Sequence, residues 1–185
     1  NTETKFGLRT FTLSSSVDNL DRLPFPERGN HHYFELQFAG EFLGGDVQYT
    51  RFFSSLETFF PIGKYFNFHP RILLGLSGSG LPPSEKFYLG GIKSFAGFRT
   101  YELTGDKGFA FSNELRFKLP LRFYLTLRHD LGEVYDHTDQ IKLRNLRSGV
   151  GAILAFDSPI GPVEFAYGVV DSDTDRIYIN VGFDF

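Results

Sequence analysis

Apolar and polar residues alternate along most of this chain. The clearest example is the last ten positions, where Ile177, Ile179, Val181, Phe183 and Phe185 alternate with Arg, Tyr, Asn, Gly and Asp. An alternation with a period of two is typical of a β-strand whose two faces meet different surroundings. We therefore predict a strand at the end of the sequence.

Earlier segments show the same alternation. Their first apolar residues are Phe34, Val47, Phe66, Phe109, Leu121, Val150 and Val163. A further strand in residues 5–16 has an ambiguous phase. Together these segments predict an all-β, antiparallel fold with about eight to ten strands in this chain.

Turn residues separate the strands, and the connections differ in length. Tight turns containing Pro or Gly are expected at 61–63, 119–120 and 158–162. Longer connections are expected at 18–30, 79–107 and 136–145. Short turns that alternate with long loops are typical of a membrane barrel with a periplasmic and an extracellular rim. No domain boundary is visible, so residues 1–185 are predicted to form a single transmembrane β-barrel domain.

The aromatic composition favours a membrane barrel. The 185 residues include 23 Phe and 9 Tyr, yet the mean hydropathy is only −0.18. Such a chain fits strands that turn an apolar face to lipid and a polar face to a lumen. A soluble sandwich or a lipocalin-like barrel would instead place the apolar face inside, and the alternation alone does not distinguish these alternatives.

Charge and cysteine content exclude several functions. The net charge is −3 and the 19 Lys and Arg residues are scattered, so no nucleic-acid surface is predicted. The chain has no Cys and its 5 His show no ligand spacing, so we predict neither a metal site nor a cofactor. No apolar run reaches the length of about 18 residues that a membrane helix needs.

A glycine-rich segment interrupts the strands. Residues 89–99 read Leu-Gly-Gly-Ile-Lys-Ser-Phe-Ala-Gly-Phe-Arg. Inside a barrel, such a segment indicates a loop folded into the lumen, with bounds at about 79–107. The candidate motif residues are Gly90, Gly91, Phe95, Ala96, Gly97, Phe98 and Arg99.

Several motifs in a fixed order carry a family resemblance. They are Phe87-Tyr88-Leu89-Gly90-Gly91, Gly105-Asp106-Lys107-Gly108, Asn113-Glu114-Leu115, Asp130-Leu131-Gly132-Glu133-Val134 and Ser158-Pro159-Ile160-Gly161-Pro162-Val163. Residues 16–29, with Asp-Asn-Leu-Asp and Pro-Phe-Pro, are similar to a recurring turn of the same family. The chain resembles the C-terminal barrel of the BamA/TpsB superfamily, also called the bacterial surface antigen family.

The resemblance implies a bacterial outer-membrane barrel of about sixteen strands that inserts or translocates proteins. Such barrels usually follow periplasmic POTRA domains, and neither these nor a passenger domain is visible in this chain. The implied role is to translocate or anchor a passenger protein. The implied partners are outer-membrane lipid and lipopolysaccharide, the barrel assembly machinery and the passenger. The alternative is a small structural or receptor-type barrel without translocation activity, which could form a homodimer.

The loop departs from the family pattern at one residue. The family's Val-Arg-Gly-Phe or Tyr motif aligns with Phe95-Ala96-Gly97-Phe98, so Ala96 stands where the family has an Arg that reaches acidic residues across the lumen. Glu114 and Asp130 match those acidic partners. Because a carboxylate in a confined lumen needs a counter-charge, Lys93 or Arg99 would supply the cation, and we favour Arg99.

The loss of this Arg resembles barrels of the patatin-like PlpD type, whose passenger is a lipase. Residues 75–80 do not have the Gly-x-Ser-x-Gly spacing of a nucleophile elbow, so any lipase activity would belong to sequence outside this chain. We therefore predict that the chain itself is not an enzyme.

The end of the sequence resembles the C-terminal signal that the barrel assembly machinery reads. Its residues are Tyr178, Phe183 and Phe185, although Asn180 stands where that signal prefers Gly. This resemblance argues against the soluble barrel.

Overall fold

A computed structural model of the chain describes residues 7–171 and 174–182, apart from the side chain of Leu143. Within these residues it contains β1 (Thr10–Asp18), β2 (Gly29–Ala39), β3 (Tyr49–Ile62), β4 (Phe66–Ser77), β5 (Phe87–Leu89), β6 (Leu103–Gly105), β7 (Lys107–Lys118), β8 (Phe123–Tyr135), β9 (Arg147–Ser158), β10 (Gly161–Val170) and β11 (Thr174–Val181). Short 3-10 helices occur at Glu41–Leu43, Pro83–Glu85, Pro120–Arg122, Thr138–Gln140 and Leu143–Asn145. None of the described helices has the length and apolar character needed to cross a membrane.

The nine longer strands form one antiparallel sheet in the order β1-β2-β3-β4-β7-β8-β9-β10-β11. The short strands β5 and β6 pair with each other in a second, two-stranded sheet. In the described part of the chain no ladder joins β1 to β11, so the large sheet has two free edges. The predicted all-β, antiparallel fold is confirmed.

The two faces of the large sheet are opposite in polarity. On the outer face Leu154, Phe165 and Ile179 lie opposite one another on β9, β10 and β11, and Phe165 and Ile179 are 52% and 67% exposed. On the inner face Ser112 of β7 pairs with Asp130 of β8, and both are buried. A water-soluble protein would expose the polar row and bury the apolar one, so the soluble alternatives are excluded.

The two ends of the sheet carry connections of different length. At one end lie the tight turns 63–65, 119–122 and 159–160, together with the longer connection 19–28. At the other end lie the loops 40–48, 78–106 and 136–146. In outer-membrane barrels the short turns are periplasmic and the long loops extracellular, which orients the sheet. Strands β5 and β6 belong to the loop 78–106, and this loop packs against the inner face.

Candidate functional site

Residues 90–99, the loop tip, form most of the connection from β5 to β6 and lie against the inner face of the sheet. Phe95, Ala96 and Phe98 are buried, and Phe95 and Phe98 join Leu89 and Val170 in one apolar cluster. The Gly91 N–H donates to the Phe98 carbonyl at 3.0 Å, which closes the loop tip on itself. The loop tip therefore packs against the polar, inner face of the sheet.

Glycine is required at the loop tip and in the wall beneath it. Gly97 has φ +98°, and a Cβ there would lie 2.7 Å from the Val170 nitrogen. In the wall, a Cβ on Gly149 would lie 2.6 Å from the Ala96 oxygen, and one on Gly168 would lie 2.6 Å from the Gly97 nitrogen. Real Cβ contacts are longer than this, so the loop backbone rests directly on the backbone of β9 and β10.

Arg128 of β8 holds the loop tip from the wall. Its Nη1 donates to the Ile92 carbonyl at 2.5 Å and its Nη2 to the Ser94 carbonyl at 2.7 Å. Arg71 of β4 donates to the same Ser94 carbonyl at 3.3 Å. Two guanidinium groups from the wall thus converge on backbone oxygens of the loop tip.

Asp130 and Glu114 lie beside Arg128. Asp130 is fully buried and accepts the Ala96 N–H at 2.8 Å, the Ser112 hydroxyl and the Arg128 Nε–H at 2.8 Å. Glu114 lies 3.4 Å from Arg128 Nη1. Asp130 therefore binds the loop backbone directly and also fixes the guanidinium that binds the loop carbonyls.

The expected role of Arg99 is not what the structure shows. The Arg99 side chain is exposed, and its backbone N–H donates to Glu102 Oε2 at 2.6 Å. Lys93 lies 3.2 Å from Glu164. Arg128 pairs with both predicted carboxylates because it shares their inward phase on neighbouring strands and lies two residues from Asp130. That shared phase was visible in the alternation, but it gave no reason to prefer a wall residue to a loop residue.

Tyr178 connects the loop tip to the last strand. Its hydroxyl accepts the Gly97 N–H at 2.8 Å and donates to the Phe98 carbonyl at 2.7 Å. The sequence assigned Tyr178 to a C-terminal insertion signal, and nothing in its sequence context indicated this contact. The other two residues of that signal, Phe183 and Phe185, lie outside the described residues.

His69 extends the polar network along the wall. Its Nδ1 lies 3.0 Å from Glu114 Oε2 and its Nε2 lies 2.9 Å from Glu57 Oε2. The other oxygen of Glu57 lies 2.9 Å from His31 Nδ1. Only a doubly protonated imidazole can donate to two carboxylates at once, so this geometry fits an imidazolium at His69.

The site is suited to positioning the loop backbone. Within the described residues, no group of three or more His, Asp and Glu side chains is placed to hold a metal ion. A cavity of about 190 Å³ beside the network is lined by Glu57, Arg71, Glu114, Arg128 and other residues. What the arrangement supplies is a set of fixed donors and acceptors that position the loop backbone.

Comparisons with known proteins agree with this architecture. The whole chain, residues 1–185, matches the family model described as the Omp85 superfamily domain. The chain is 27% identical over 169 residues to the outer membrane protein assembly factor BamA of Nitratidesulfovibrio vulgaris, a match that covers 82% of this chain and 21% of that protein. The crystal structure of BamA from Haemophilus ducreyi lacking POTRA domains 1–3 is similar with a TM-score of 0.77 and 18% identity. That match covers 92% of this chain and 40% of the solved one.

Proposed function

The chain belongs to the Omp85 superfamily, and from that premise we propose that it forms part of a larger barrel that inserts or translocates other proteins. It is a protein of the bacterial outer membrane. It spans only about a fifth of the length of the BamA protein it matches, so the activity is proposed for the whole protein that contains it.

The observation that carries the proposal is the loop tip bound to the inner wall. Arg128 and Asp130 of β8 and Tyr178 of β11 bind its backbone. A barrel that served only as an open channel would not need a loop held on its wall by buried charged groups, which are costly unless paired. The loop instead fixes the relative positions of β8 and β11 next to the free edge of the sheet.

The free edges support the same proposal. Both β1 and β11 present unpaired backbone groups in the described part of the chain. Backbone groups in the hydrocarbon core of a membrane must be paired, so these edges need strands from elsewhere. In the proposed function they pair with the rest of the barrel and, at least transiently, with the protein that is being assembled.

The test is insertion of a reporter β-barrel protein into liposomes that contain the full-length protein. We expect faster reporter folding than in protein-free liposomes, and a slower rate for Arg128→Lys. A Lys ammonium is a single nitrogen without the planar fork that lets Arg128 reach both loop carbonyls and Asp130 from different atoms. Arg144→Lys, an exposed change in the loop 136–146, should match the parent. No acceleration by the parent protein would refute the assembly function. Full activity of Arg128→Lys would refute only the role of the anchored loop.

Anchoring a passenger is the second candidate, and Ala96 is the residue that favours it. With Ala96 in place of the family's Arg, the loop resembles the loop of PlpD-type barrels. In this case any lipase activity would lie in a patatin-like passenger outside the chain. Peptide sequencing of the mature protein distinguishes the two candidates, because a patatin-like segment before the barrel supports anchoring and POTRA segments support assembly.

A further inference from the structure

The connection 19–28, here called the mouth segment, differs from the other connections at its end of the sheet. Its neighbours are the tight turns 63–65, 119–122 and 159–160, whereas the mouth segment has room to fold inward. Phe25 and Pro26 at its centre are buried. A long, inward-folded connection at a rim of tight turns calls for a physical explanation.

The mouth segment is held together by its own hydrogen bonds. One oxygen of Asp21 accepts the N–H groups of Glu27 and Arg28 at 2.9 and 3.2 Å. Arg22 Nε donates to the Phe25 carbonyl at 3.1 Å. Such side-chain acceptors fix a turn without help from the wall. The mouth segment therefore has internal hydrogen bonds that do not depend on the wall.

Phe25 and Pro26 dock on the inner wall. The Phe25 ring stacks on Tyr124 of β8 with a centroid distance of 4.2 Å. The Arg116 guanidinium of β7 lies 5.6 Å from the Phe25 centroid, and its Nη1 donates to the Pro26 carbonyl at 3.0 Å. Aromatic stacking and a cation over the ring both stabilise the docked position, so Phe25 is the main attachment point.

Glu27 adds a polar attachment. Its backbone carbonyl accepts from Asn67 Nδ2 of β4 at 2.5 Å. Its carboxylate forms ion pairs with Lys118 of β7 and with Arg22. The mouth segment is thus bound to three strands of the inner wall, β4, β7 and β8.

The mouth segment also approaches the loop tip. One cavity of about 250 Å³ is bordered on one side by residues 23–26 and on another by Lys93 of the loop tip. The two segments enter from opposite ends of the sheet and face each other across this space. Between them they cover the inner wall from both rims.

We propose that the mouth segment is a second plug, which closes the periplasmic mouth of the lumen by docking Phe25 between Tyr124 and Arg116. The loop tip closes the lumen from the extracellular side. With both ends closed, a protein that is being inserted would contact the strand edges and would not pass through an open pore. Passage through the lumen would require the mouth segment to leave the wall as a unit.

The test measures access to the lumen in the full-length protein folded in detergent. Thr126 is buried on the inner wall and lines the same cavity as Phe25. Residues 1–185 contain no Cys, so Thr126→Cys adds one thiol to this part of the lumen, and peptide mapping reads its labelling separately from that of any other thiol. We expect a small neutral maleimide to label this thiol slowly in the parent and about tenfold faster when Phe25→Ala is added, because weakening the attachment by about 1.4 kcal/mol makes opening tenfold more frequent.

Leu23→Ala is the matched control, since Leu23 lies in the same segment but is 73% exposed. Its labelling rate should equal that of the parent. Glu27→Gln is a milder second variant that removes the ion pairs without emptying a buried site, and it should also accelerate labelling. The proposal is overturned if Phe25→Ala folds and its thiol is labelled at the parental rate, or if Leu23→Ala accelerates labelling as much as Phe25→Ala does. If Phe25→Ala fails to fold, an unchanged labelling rate in Glu27→Gln overturns it.

Discussion

At the scale of single residues, the loop tip is held by groups that bind its backbone rather than its side chains. Arg128 donates to two carbonyls, Asp130 accepts one N–H, and Tyr178 both accepts and donates. Because the wall side chains bind backbone atoms of the loop, Ala96 can stand where the family has an Arg without loss of these hydrogen bonds. The charged groups come from the wall. The departure from the family motif therefore does not leave the loop unanchored.

Removing the Tyr178 hydroxyl should loosen the loop tip. In Tyr178→Phe the Gly97 N–H loses its partner, while the Phe98 carbonyl keeps the Gly91 N–H. A buried group left unsatisfied costs about 1–3 kcal/mol. We expect faster hydrogen exchange at the Gly97 amide, measured in the folded protein. Tyr167→Phe is the control, because Tyr167 lies on the outer face of the adjacent strand. Equal exchange in both variants would contradict the role of Tyr178.

At the scale of elements, the alternation located the strands better than it located their ends. Leu121 fits the alternating pattern, yet it lies in the turn Pro120–Arg122 with φ +60°, and β8 begins at Phe123. The irregular residues after Val47 belong to β3, which continues to Ile62. Turn geometry and register fix such boundaries, and neither is visible in the periodicity of one strand.

A surface ion pair links two elements at the long-loop end. Lys86, just before β5, donates to Asp136 at 2.7 Å and lies 3.5 Å from Asp106. The hydrogen bond from Lys86 lowers the pKa of Asp136, and the same bond raises the pKa of Lys86. The link therefore joins the base of the lumenal loop to the loop 136–146.

The stability from this link should depend on pH with a defined sign. Because the pKa of Asp136 is lowered in the folded state, its contribution is present above the ordinary Asp value of about 3.9 and is lost as the pH falls below it. We expect Asp136→Asn to lower the free energy of unfolding at pH 7 by less than about 1 kcal/mol, since the pair is partly exposed. Urea unfolding at pH 7 and at acidic pH measures this difference. A larger loss at the acidic pH would contradict the assignment.

At the scale of the whole molecule, the number of strands decides how the sheet can close. In the residues that the structure describes, the large sheet has nine strands that alternate in direction, so β1 and β11 run the same way. Direct closure would require one parallel pair in an otherwise antiparallel sheet. Barrels built from up-and-down strands usually have an even number, which avoids that pair.

We therefore expect the 185-residue chain alone not to form a compact, heat-sensitive monomer. Heat-modifiable gel mobility of the detergent-folded chain, combined with crosslinking, measures this. A compact monomer would contradict the expectation and would mean that nine strands close by themselves. A compact dimer would mean that the free edges pair between copies, as in the alternative of a small homodimeric barrel.

The sequence by itself determined the fold class, the strands with one apolar and one polar face, and the glycine-rich segment between them. These properties depend on a local period of two and on glycines that no other residue replaces, both of which are readable within a few positions. Only the tertiary structure decided that Arg128 rather than Arg99 meets Asp130, that Tyr178 binds a loop 81 residues earlier, and that Phe25 enters the lumen. Those contacts depend on strand register and on how the sheet curves, because residues far apart in the chain meet only after both are set.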